Sequence, residues 1–216
     1  MAAAVARGLT IATSTDPALA TGGNVWGGNN AGYALLDALA ARGALRGASV
    51  LALGSGPAPL ELAAAALGAR VLATDVRAVL PLVRRNAEAN AAAVRAGGGA
   101  IDVAELDWAA PLSAEVRARA PFDVVLASDC VFWPELFAPL IAAVRAAGAA
   151  NAAAGAQPPH AFFLIEARAP RELAFFDALD AAGFQWALCD GAAADELDCL
   201  AAAPSAVFWA RERVAL

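Results

Sequence analysis

Short apolar runs, rich in valine, leucine and isoleucine, alternate along this chain with longer alanine-rich stretches whose apolar positions recur at helical spacing. Strands are expected at Ser49–Leu53, Arg70–Thr74, Ile101–Leu106, Phe122–Ser128 and His160–Ile165. Helices are expected between them, at Leu60–Leu67, Ala78–Ala96 with Arg84, Arg85 and Glu88 outward, Glu135–Ala147 and Arg171–Ala182. This alternation predicts βαβ units, and so an α/β fold with a parallel sheet covered by helices on both faces. The last two apolar runs, Gln185–Cys189 and Ala206–Arg211, have no helix between them, which predicts a hairpin and one antiparallel strand. Upstream, a helix at Asn30–Ala41 ends at Arg42-Gly43 in the manner of a glycine C-cap, preceded by a candidate edge strand at Gly8–Ala12. Ala146–Pro159 reads as a low-complexity loop. No repeat or dividing linker is visible, so one domain over 1–216 is expected, with 1–47 an extension of the α/β core at 48–216.

Composition narrows the picture. Of 216 residues 60% are apolar, but many are alanine, which buries little area, so the core is thinner than that fraction suggests. All 15 cationic side chains are arginine, a bias that fits the abundance of Ala, Gly and Pro. The net charge of −6 and the lack of a basic run disfavour a nucleic-acid partner, whereas a basic protein partner suits this field. Cys130, Cys189 and Cys199 lack zinc-site spacing, and their odd number argues against a disulfide framework, so no metal and a reducing compartment are expected. No stretch reads as the roughly 20 apolar residues of a membrane span, and Met1–Arg7 is short for a transit peptide. A cytoplasmic monomer without a membrane partner is the expectation.

In a parallel sheet ligands collect beyond the carboxyl ends of the strands, so residues that follow strands carry the chemistry. Gly54-Ser55-Gly56 lacks the side chains that would keep backbone N–H groups from a ligand at a helix N-terminus, although such turns also serve packing. Asp75, about 20 residues further on, is placed to accept ribose hydroxyls, the competing reading being a helix N-cap. These two features suit a nicotinamide dinucleotide or S-adenosylmethionine. Pro59, standing where the dinucleotide fingerprint needs its third glycine, disfavours the former. In Glu105-Leu106-Asp107-Trp108 an acid precedes an indole that could border an adenine, or simply join the core. In Ser128-Asp129-Cys130-Val131-Phe132-Trp133-Pro134 a carboxylate and an aromatic ring three residues on could hold a cation or an amine. Alternatively, Asp129 caps the helix opened by Pro134.

Together with Asn24-Val25-Trp26, Val50 to Gly56, Thr74-Asp75 and Leu80-Pro81-Leu82 with Asn86 and Asn90, these motifs resemble the seven-β-strand protein-lysine methyltransferases. Those are the relatives of the valosin-containing-protein and calmodulin lysine methyltransferases, and the resemblance spans nearly the whole chain. It implies a class I methyltransferase fold with a mostly parallel seven-stranded sheet, one strand antiparallel. It also implies S-adenosylmethionine as cofactor and a protein side-chain amine, that of lysine, as acceptor. By the same resemblance Trp26 would line the cofactor's methionine end, Gly54, Ser55 and Gly56 would approach its amino-acid portion, and Asp75 would take the ribose hydroxyls. Trp108 would border the adenine with Ser128 beside it, and Asp129 and Phe132 would flank methyl transfer. An amine attacking a sulfonium methyl needs alignment and desolvation more than a dedicated base, and Asp129 could orient it. Three positions depart from the family: Ala52 replaces an acid, Ala58 a glycine and Phe132 a tyrosine. A catalytically degenerate binding protein and a small-molecule methyltransferase remain open as alternatives.

Overall fold

Four inner strands are buried on both faces, which explains why their sequences run apolar without alternating. The computed structural model describes residues 8–166, 170–188 and 206–212; Met1–Arg7, Cys189 and Cys199 lie outside them. The strands are β1 (Ser49–Leu53), β2 (Arg70–Asp75), β3 (Ala100–Glu105), β4 (Val124–Ser128), β5 (His160–Ile165), β6 (Phe184–Leu188) and β7 (Ala206–Glu212). They form one sheet in the order β3-β2-β1-β4-β5-β7-β6. The first five are mutually parallel, with Leu51 opposite both Leu72 and Val125. β3, at the edge, alternates between exposed and sheltered positions. β6 and β7 pair antiparallel, and β7 also pairs antiparallel with β5, so it lies between the two instead of at the rim of a simple hairpin.

Helices α1 (Asn29–Ala41), α2 (Pro59–Ala66), α3 (Leu80–Ala89), α4 (Ala91–Gly97), α5 (Ala114–Arg117), α6 (Phe137–Ala153) and α7 (Ala174–Ala181) cover the sheet. One face carries Leu35, Leu36, Leu60 and Leu62 of α1 and α2 together with Val50, Val71 and Leu164. The other carries Leu140, Ile141 and Val144 of α6 with Leu51, Val125 and Phe163, and Phe175 of α7 meets Phe163 edge-on at 4.9 Å. The strand order reverses beside β1, whose neighbours are β2 and β4, and this is where open α/β sheets leave a crevice for ligands.

Four departures from the sequence expectation have physical causes. Gly8–Ala12 is no strand; its backbone bonds instead to side chains of α3 and its C-cap. Asn86 Oδ1 accepts from Ala12 N while its Nδ2 donates to Ala12 O, each at 2.9 Å, and Asn90 treats Thr10 likewise. The helix expected over Ala78–Ala96 breaks at Asn90, whose amide also bonds the Asn86 carbonyl at 2.7 Å, the usual competition of asparagine with helical backbone. The loop expected from Ala146 is helical to Ala153, because alanine is the best helix former. Asn151 anchors that end, donating to the carbonyls of Phe122 and Gln157 and accepting from Phe122 N. Finally, Pro134–Ala153 is long and apolar enough, by length and composition, to cross a membrane. Here Phe137, Leu140, Ile141, Ala143, Val144 and Ala147 of that segment are buried in the core.

Candidate active site

The turn after β1 is shaped by what it approaches. Gly54 has φ +67°, and a Cβ there would sit 2.9 Å from both Cys130 Sγ and Trp108 Cζ2, so any side chain would force the indole or the thiol aside. Ser55 N donates to Thr74 O at 3.0 Å, which ties the turn to β2. The last position of the turn, Ala58, is left-handed at φ +60° and ψ +41°, a conformation that glycine adopts at no steric cost and alanine does not. Pro59 then opens α2 at its first residue, where a missing N–H is harmless.

Asp75 closes the other side. Its Oδ2 accepts from Gly56 N and its Oδ1 from Val76 N, each at 2.8 Å. α3 begins at Leu80 with no side-chain cap, so the capping alternative for Asp75 is excluded. Burial raises its carboxyl above the usual range, opposed by those two N–H bonds.

Asp129 takes the left-handed conformation at φ +53°. Its Oδ2 accepts from Gly28 N at 2.6 Å and its Oδ1 from Glu166 N at 3.3 Å, which joins the segment before α1 to the ends of β4 and β5. A Cβ on Gly28 would lie 2.6 Å from that Oδ2, so only glycine permits the contact. The carboxylate therefore braces the rim and does not cap the turn at Pro134, which has no side-chain cap.

All nine residues singled out by sequence, Trp26, Gly54, Ser55, Gly56, Asp75, Trp108, Ser128, Asp129 and Phe132, line one cavity of about 250 Å³. Trp26 Nε1 donates to Thr21 O at 3.1 Å, and with Leu19 and Gly22 this N-terminal segment forms one wall. Phe132 stacks obliquely on Trp133 at 5.1 Å. Ser128 Oγ is buried without a hydrogen-bond partner, a donor left available to a ligand. Among the described residues the lining holds four carboxylates, Glu61, Asp75, Asp107 and Asp129, and no arginine or histidine.

Glu61 is the residue that sequence reasoning missed. It sits in the first turn of α2, is 4% exposed and lines the cavity. Burial pushes its carboxyl up to about 7, helped by the nearby charge of Asp75 and opposed by backbone N–H groups; Ser55 Oγ beside it, like Ser128 Oγ, is buried without a hydrogen-bond partner. The signal was present: one charge in Pro59-Leu60-Glu61-Leu62-Ala63-Ala64, straight after a glycine turn. Cys130, by contrast, is inert. Its thiol donates to Leu53 O at 3.1 Å, and burial with three neighbouring carboxylates holds its pKa well above the usual thiol value. Among the described residues no cluster of His, Cys, Asp and Glu could hold a metal ion.

The sequence profile described as lysine methyltransferase matches residues 6–182. The chain belongs to this lysine methyltransferase family. Its fold is the class I, Rossmann-like methyltransferase fold, shared with solved structures of low sequence identity. A TehB-like SAM-dependent methyltransferase of Corynebacterium glutamicum is 18% identical, with 90% of this chain and 92% of that one covered at a TM-score of 0.56. The magnesium protoporphyrin IX methyltransferase of Synechocystis PCC 6803, solved with bound SAM, is 17% identical over 97% and 96% at 0.54. A putative RNA methyltransferase of Pyrococcus horikoshii is 16% identical over 98% and 94% at 0.56.

Proposed function

We propose that this member of the lysine methyltransferase family transfers a methyl group from S-adenosylmethionine to a lysine side chain of a protein substrate. The observation that carries the reading is the cavity wall, which among the described residues has four carboxylates, no cation and an aromatic mouth, a field suited to a cationic cofactor and an amine acceptor. The residues present fit such a cofactor: the turn at Gly54 admits no side chain, Ser128 Oγ awaits a partner, and Asp75 keeps acceptor capacity beyond its two backbone bonds. S-adenosylmethionine, when bound, supplies an electrophilic sulfonium methyl.

In this reading Asp75 accepts the ribose hydroxyls, Trp108 and Ser128 border the adenine, and the Gly54 to Gly56 turn and Trp26 meet the amino-acid end. Asp129, besides bracing Gly28, offers its remaining lone pairs to the incoming amine, and Phe132 walls the same channel against water. Supporting a place among seven-β-strand enzymes is the insertion of β7 between β5 and β6. A single domain over 1–216, acting as a cytoplasmic monomer on protein and not on nucleic acid or membrane, completes the proposal.

Incubating the purified protein with methyl-labelled S-adenosylmethionine and a lysate of its own source tests it. Label in a protein band, mapped to lysine, is expected. Label only in the small-molecule fraction would favour the second reading, a small-molecule methyltransferase, which the porphyrin-named fold neighbour suggests. The third reading, a degenerate binding protein, is motivated by Ala52 and by the prolines at 57 and 59. No heat of binding on titration with millimolar S-adenosylmethionine would establish it.

A further inference from the structure

We propose that Glu61 is the ammonium-binding group of this cavity, the anion that receives the α-amino group of a ligand with an amino-acid tail. The inference rests on the reading above, in which that ligand is S-adenosylmethionine. Four carboxylates line the cavity, and each meets backbone N–H groups, so it is burial and not backbone pairing that sets one apart. Asp75 accepts from Gly56 and Val76, Asp129 from Gly28 and Glu166, and Asp107, which is exposed, from Ala109 at 3.0 Å. Glu61 is the most deeply buried of the four, 4% exposed, with only N–H groups of its own helical turn bonded to it and no cation among the described residues to balance its charge. No cation among the described residues contributes to its electrostatics; two ion pairs among those residues, Arg77–Glu105 and Arg119–Asp102, lie elsewhere.

Burying an unpaired carboxylate is costly, and such groups persist where a charge arriving later completes them. β1 offers no alternative, because Ala52 is wholly buried and apolar. The groups facing Glu61 are Asp75 from β2, Ser55 from the glycine turn and Cys130 from beyond β4, none of them positive. Burial pushes the Glu61 carboxyl up to about 7. An ammonium beside it favours the ionised form, so at neutral pH ligand binding expels a proton.

Calorimetry with two probes decides the matter: S-adenosylhomocysteine, which carries the amino-acid tail, and 5′-methylthioadenosine, which lacks it. Wild-type protein is expected to prefer the former. E61Q should weaken S-adenosylhomocysteine at least tenfold while leaving 5′-methylthioadenosine within twofold. At pH 7, titrations in buffers of different ionisation enthalpy should show S-adenosylhomocysteine releasing roughly half a proton more than 5′-methylthioadenosine, a group at its pKa being half protonated. The proton count on wild-type protein decides even where E61Q fails to fold. Equal weakening of both probes, or equal proton release, overturns the role of Glu61 and leaves the methyl-donor reading intact. Binding of neither probe to wild-type protein overturns both.

Discussion

Asp75 and Glu61 approach the same turn from different elements, and their surroundings give them different work. Asp75 is answered by two backbone donors, so Asp75→Asn reverses the polarity of at least one contact and removes the charge available to ribose hydroxyls. Affinity for S-adenosylhomocysteine should fall by about 1–3 kcal/mol, measured by titration calorimetry. Unchanged affinity would leave Asp75 only as a brace for Gly56. Glu61 carries a pH signature in the ligand-free protein. Its folded value near 7 lies above the unfolded 4.5, so the folded state binds the extra proton between them. Its contribution is fully present below pH 4.5, declines as pH rises towards 7 and is then gone, about 3 kcal/mol in all. Chemical denaturation from pH 5 to 8 should show that decline, and E61Q should flatten it. Asp129→Asn should lower kcat on a protein substrate with cofactor affinity nearly unchanged; a loss of thermal stability alone would mean that Asp129 serves only to brace Gly28.

Elements bring these residues together through a few side chains that replace backbone pairing. Asn86 joins three parts of the molecule: the N-terminal segment through Ala12, α3 itself, and the glycine turn through Pro57 O at 2.9 Å. Removing it leaves buried backbone groups unsatisfied. Asn86→Ala should destabilise the protein by about 2 kcal/mol, roughly 4–8 °C in Tm, and weaken cofactor binding because the segment it holds leads to the wall at Leu19 to Trp26. A melt unchanged within 1–2 °C would show that the segment is held by other contacts. The turn offers a complementary test. Gly54→Ala forces Cβ against Cys130 and Trp108, so S-adenosylhomocysteine binding should be lost while circular dichroism stays that of an α/β protein.

At the scale of the whole molecule, the net charge of −6 and the carboxylate-lined cavity give a negative field, which in the proposed reading favours a cationic partner. If the substrate is a lysine-bearing basic protein, kcat/KM should fall several-fold between about 0.05 and 0.5 M salt, as screening shortens the reach of that field. An insensitive rate would point to an uncharged acceptor. What the sequence determined by itself was the alternation of elements and the set of strand-end residues that meet at one cavity. Both are local signals: burial on two faces writes an apolar run, and a ligand site at strand ends writes Gly54, Asp75, Trp108 and Asp129 directly after those runs. Tertiary structure alone decided the rest. Gly8–Ala12 has strand-like composition, but its partners are two asparagine side chains 74 and 80 residues away, a pairing no local pattern encodes. Asp129 looks like a free carboxylate until Gly28, 101 residues distant, donates to it. Glu61 looks like the solvated face of a helix until the sheet and the glycine turn enclose it. Burial is a property of what arrives from elsewhere in the chain, and with it came the charge that the end of β1 lacks.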